Sequence, residues 1–151
     1  MLFYHRDAES KAKDILEQRT QEIQKHLTDE EQAITVCVIP IRMMEAWLLF
    51  DENAIKKAAG NRNYKNKIKL PDPKKVENEK DPKALLYNIL KTVSGCKGRK
   101  LKKFNTAYRI HLVAENIDDF NPLRKLSAFQ FFEQELRNTV DTLLESTKET
   151  D

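Results

Sequence analysis

The chain has 151 residues, 40% hydrophobic and 34% charged, with a formal net charge of +3, a length that suits one domain with an appendage. Three glycines and five prolines exclude collagen-like and low-complexity classes, and no apolar run approaches the roughly 20 residues of a membrane-spanning helix. "MLFYH" meets charge too early for a signal peptide, and Cys37 and Cys96 show neither a disulfide framework nor zinc spacing, so the expectation is a reduced, cytoplasmic protein with no membrane contact.

In chain order, "LFYH" (2–5) reads as a short buried strand. The next segment, 10–27, places Ala12, Ile15, Leu16, Ile23 and Leu27 at helical spacing with a charged opposite face. "AITVCVI" (33–39) is apolar and β-branched throughout, the pattern of a central strand buried on both faces. Strand, helix, strand is a βαβ unit, and its strands are expected to be parallel. "RMMEAWLLF" (42–50) reads as a helix on that sheet. Asp51 is placed to cap a second helical stretch through Ala59, with Gly60 as its stop.

Residues 61–81 carry two prolines, many lysines and little periodicity, which predicts a long exposed loop with one short helical turn. Beyond it the pattern is all helical. Asp81 is a cap and Pro82 fits the first helical position. Leu85, Leu86, Ile89, Leu90 and Val93 form a stripe ending at Gly95. "GCKGRKLKKF" (95–104) is a basic connector, 106–117 an amphipathic helix, and a helical turn starts near Pro122. A last helix covers 127–145, capped by Ser127, before a frayed tail. The expected organisation is a core over 1–60, a basic loop over 61–81 and a helical subdomain over 82–151 packed on the core.

Charge is distributed unevenly. Residues 61–103 hold 14 Lys/Arg against 4 Asp/Glu, a balance that suits a polyanion-facing patch or a solvated lysine-rich loop. The densest cluster is Lys97, Arg99, Lys100, Lys102 and Lys103, which suits a phosphate backbone, with Tyr64 or Phe104 available for stacking.

Acidic residues gather elsewhere. In a parallel sheet, sites form beyond the carboxyl ends of the strands. Asp7 and Glu9 follow the first strand, and Arg42 and Glu45 follow the second, so all are expected on one edge with Arg6. Hard carboxylate oxygens suit Mg²⁺ or Mn²⁺, and arginines suit phosphate. The same acids also fit plain helix starts, where the dipole favours negative charge. His5, His26 and His111 show no metal spacing, and no glycine-rich phosphate loop is present.

The stretches "LFYHRDAES", "IPIRMMEAWLLFDENAIKKAAGN", "GRKLKKF" and "AENIDDFNPLRKLSAFQFFEQELR" resemble, over nearly the whole chain, a bacterial Toprim-like family related to OLD-type nucleases and often encoded beside an ATPase. The resemblance implies an α/β fold: a small parallel sheet with a partial Toprim-like, Rossmannoid βαβ core, and an all-helical C-terminal half. It implies a metal-dependent nuclease acting on DNA or RNA, a defence effector with an ATPase partner, with Asp7, Glu9 and Glu45 as catalytic metal ligands. Arg6 and Arg42 would then steer phosphate. Asp7 and Glu9 stand where the family's Asp-x-Asp sits, with a glutamate for the second aspartate. The family's first strand and its glutamate have no counterpart here, so the chain reads as N-terminally truncated, with an open sheet edge that invites a homodimer or a partner chain. The alternative is a non-catalytic module that binds nucleic acid or an ATPase through the basic region.

Overall fold

The computed structural model describes residues 1–10 and 14–148. Its elements are β1 (Leu2–His5), α1 (Ile15–Gln24), α2 (Asp29–Ala33), β2 (Thr35–Val38), α3 (Glu52–Ala58), α4 (Pro82–Ser94), α5 (Gly98–Lys102), α6 (Thr106–Glu115) and α7 (Ser127–Lys148). Single 3-10 turns occupy Met44–Leu48, Pro73–Asn78 and Asn121–Lys125. The protein is therefore α/β, with a small parallel sheet and mostly helical content. Ala12 and residues 149–151, included in the expected first helix and in the frayed tail, lie outside the described residues. Among the described residues, no helix is long and apolar enough to cross a membrane.

Met1–Arg42 and Arg124–Asp151 form one compact unit, and Met43–Leu123 form a second. In the first, β1 and β2 pair in parallel with Leu2 opposite Thr35 and His5 opposite Val38. The connection ends in α2, whose start is a reciprocal cap. The Glu31 N–H donates to the Thr28 hydroxyl at 3.2 Å, and the Thr28 N–H donates to the Glu31 carboxylate at 2.9 Å. α7 packs on β2, which buries Thr35, Val36 and Cys37.

Two expectations about the strands are corrected. β1 is not buried: Leu2, Phe3 and Tyr4 are 47%, 58% and 50% exposed. β2 is covered but not central, because the sheet of the described residues has two strands and each is an edge. Apolar character suits the extended backbone of β1, but burial also needs a covering layer, and the described residues leave Leu2, Phe3 and Tyr4 about half exposed.

The second unit is built on α3, α4 and α6, which pack on one another and with the Met44–Leu48 turn. Trp47, Leu49, Ile55, Leu86, Leu90 and Val113 are buried, each contributing roughly 1.5–3 kcal/mol of transfer free energy. Local signals set the helix ends. The Ala54 N–H donates to the Asp51 carboxylate at 2.9 Å, and the Ala84 N–H donates to Asp81 at 2.8 Å. Gly60 and Gly95 close α3 and α4 at φ +76° and +65°, where a side chain would be strained. The 42–50 helix is corrected to a single 3-10 turn. Ala46, Trp47, Leu48 and Leu49 are buried in succession, so this segment has no polar face for a longer surface helix to present.

Candidate functional site

Past β1 and β2 the two backbones stay paired. The Arg6 N–H donates to the Val38 carbonyl at 3.1 Å, and the Ala8 N–H donates to Pro40 at 3.0 Å. Extending the register that pairs His5 with Val38 brings Glu9 level with Arg42. These two are the non-glycine residues of positive φ among the described residues, at +55° and +69°. A left-handed conformation costs an L-residue roughly 1–2 kcal/mol, and such strain gathers at functional sites. The carboxyl edge of the sheet thus ends in two strained residues of opposite charge.

Other groups on this edge are already engaged. Asp7 Oδ1 lies 3.1 Å from His5 Nε2. Arg6 and Arg19 both meet the Glu22 carboxylate at 2.8 Å, and Arg19 also reaches the Ala8 carbonyl at 3.4 Å. The hydrogen bond from Arg19, aided by the charges of Arg19, Arg6 and Lys25, holds Glu22 below the usual carboxylate range. Arg6 is therefore already paired with Glu22. Arg42 is half-buried, and its Nε is buried with no hydrogen-bond partner among the described residues.

Glu45 belongs to the second unit, in the Met44–Leu48 turn, with its Oε1 3.9 Å from Lys83 Nζ. Asp7 and Glu9 are brought to one edge with Arg42, and they supply two carboxylates there. Among the described residues, no group of three or more His, Cys, Asp or Glu is arranged to hold a metal ion. A divalent hard cation takes six or more oxygens, and Mg²⁺ is commonly held by one or two carboxylates with waters and substrate phosphates completing its shell.

The basic cluster is gathered by a short helix missing from the expected connector. α5 carries Arg99, Lys100 and Lys102, flanked by Lys97 and Lys103. All five side chains are exposed, and none forms an ion pair among the described residues. The connector is pinned at its end by Arg109, which sequence reasoning missed. The Arg109 guanidinium lies 5.3 Å from the centre of the Phe104 ring and donates to the Ala58 carbonyl of α3 at 2.9 Å. Asn61 donates to the Val93 carbonyl at 2.8 Å, in the last turn of α4 before the connector. Near α3, Lys56, Lys57 and Arg62 line a cleft of about 240 Å³ with Asp51 and Asp118, also unforeseen. Its acids offset much of its positive charge, unlike α5.

The model of a domain of unknown function, DUF4276, matches residues 2–141. No curated protein and no solved structure matches the chain. The family match spans most of the sequence, so the chain belongs to the DUF4276 family.

Proposed function

We propose that this DUF4276 chain binds the phosphate backbone of a nucleic acid through the basic face of its second unit. One observation carries the reading: five exposed cations on α5 and its flanks, none neutralised by a carboxylate among the described residues. Placing like charges together is unfavourable unless a polyanion collects them. Phosphates would do so, releasing counterions and making affinity fall with salt.

The test is fluorescence anisotropy with a labelled oligonucleotide over a salt series. Each phosphate contact contributes about 0.9 to the log–log slope on duplex DNA and about 0.7 on single strands. Removing two cations with Lys100→Ala/Lys102→Ala is expected to flatten the slope by roughly 1.4–1.8. Salt-independent binding, or an unchanged slope in the double variant, refutes the reading.

A second reading is a Toprim-like, Mg²⁺- or Mn²⁺-dependent nuclease subunit, working with an ATPase in defence. It is favoured by the sheet edge where Asp7 and the strained Glu9 meet the level of Arg42. Two carboxylates suit a Mg²⁺ or Mn²⁺ ion whose remaining oxygens come from water and substrate phosphates. Calorimetric titration of Mg²⁺ and Mn²⁺ into the chain and into Asp7→Ala tests it. Binding lost in the variant supports the reading, and no binding to either protein counts against it.

A further inference from the structure

The second unit holds a groove of about 350 Å³, within the size range of small-ligand sites. Leu85 and Ile89 of α4 form one wall, one helical turn apart and half-buried. Tyr64 and Ile68, from the segment that follows α3, also line it. Around Ile68 the chain alternates, with Ile68 buried and Lys67 and Lys69 exposed on either side, so an apolar floor is rimmed by cations. The groove runs along α4 to Val93, the residue whose carbonyl Asn61 holds. Gly95 then ends the helix, and the basic connector begins at Lys97. One element therefore supplies the apolar wall and leads directly into the phosphate-binding cluster.

We propose that this groove receives unstacked bases of a single-stranded nucleic acid, while Lys67, Lys69 and the α5 cluster follow its backbone. The inference rests on the nucleic-acid reading and narrows it to single strands. Charge complementarity selects the occupant, because a strand offers apolar ring faces on a chain of phosphates, and the groove offers apolar walls with a lysine rim. In a duplex those ring faces are hidden in the stack. Binding that combines a cationic track with an aromatic platform is tolerant of sequence. Tyr64 is the aromatic residue of the lining.

The experiment compares a labelled 12-nucleotide oligo-dT, the matching oligo-U and a 12-base-pair duplex over one common salt series, using the full chain. The wild-type chain is expected to bind the single strands at least about 10-fold tighter than the duplex. Tyr64→Ala is expected to lose about 5- to 150-fold on single strands, the worth of one stacked base. Its salt slope stays unchanged, because no charge is removed. Tyr64→Phe keeps a ring and retains binding; Tyr64→Leu keeps apolar bulk without a ring and behaves like alanine. Fluorescence of Trp47, the one tryptophan in the sequence, checks that each variant remains folded.

Equal affinity for duplex and single strand overturns the inference. So does wild-type binding by both Tyr64→Ala and Tyr64→Leu while Lys100→Ala/Lys102→Ala weakens, an outcome that leaves the phosphate-binding reading standing. Absence of salt-dependent binding to any of the three probes removes both, and points to a protein segment as the occupant of the groove.

Discussion

Arg109→Ala tests whether one side chain ties the basic connector to the helical core. Its guanidinium donates to the Ala58 carbonyl at 2.9 Å and lies 5.3 Å from the centre of the Phe104 ring. A hydrogen bond from a charged donor is worth roughly 1.5–3 kcal/mol, and an exposed cation–π contact about 0.5–1 kcal/mol. Arg109 is half-buried, so water replaces part of both, and the expected loss is about 2 kcal/mol. Trp47 lies in the same compact unit, so urea unfolding followed by its fluorescence reads the stability of that unit. With a urea slope of about 1–3 kcal/mol/M, the midpoint falls by about 1 M. Arg109→Lys keeps the charge but has no planar fork to hold the carbonyl while covering the ring, and recovers at most about half of the loss. A midpoint shift equivalent to less than about 0.5 kcal/mol for Arg109→Ala, the usual scale for a surface substitution, refutes the reasoning.

Asp81→Ala removes the acceptor for the Ala84 N–H and is expected to cost about 1 kcal/mol, read in the same urea assay. Burial pushes the Glu135 carboxyl up, so the folded state binds its proton more tightly than the unfolded chain. Glu135 therefore favours folding most below the ordinary glutamate range, and that contribution is lost as pH rises toward its raised value. Thermal melts of Glu135→Gln are expected to show higher stability at pH 7 than wild type and a flatter profile across the acid range. Burial first, and the charge of Glu135 second, also push the Cys37 thiol up. Cys37 is buried and Cys96 half-buried, so a thiol reagent at pH 7.5 is expected to label Cys96 first and Cys37 only in urea.

What was legible in the sequence was local. The caps at Asp51 and Asp81 and the stops at Gly60 and Gly95 depend on a few adjacent residues, and they were read at the right positions. The parallel pairing of β1 and β2 followed from strand, helix and strand in sequence. The reciprocal cap of Thr28 and Glu31 is equally local, but the helix it opens has five residues and none buried, too short to show an apolar stripe. Long-range features left little trace. The Arg109–Ala58 bond joins residues 51 positions apart, and Tyr64 and Ile68 reach the groove from a segment without periodicity. Of the candidate residues, Asp7, Glu9 and Arg42 were placed on one edge by strand polarity alone. The left-handed turns at Glu9 and Arg42 were not foreseen, because neither residue favours that conformation.

That strain at Glu9 gives a test with an unusual sign. Outside a left-handed position, alanine is as good as or better than glycine, which loses more conformational freedom on folding. Glu9 stands at φ +55° with its side chain exposed, so either substitution removes little packing, and the backbone decides between them. Glycine relieves roughly 1–2 kcal/mol of strain that alanine keeps, against an added entropy cost of about 0.5–1 kcal/mol. Glu9→Gly is therefore expected to be more stable than Glu9→Ala by about 0.5–1 kcal/mol, measured by urea unfolding followed by far-ultraviolet circular dichroism. Alanine equal to or better than glycine would mean that the turn relaxes at no cost, and that the edge holds no strain at Glu9. The expected order would mean that the fold holds a carboxylate level with Arg42 at a conformational cost which a glycine would have avoided.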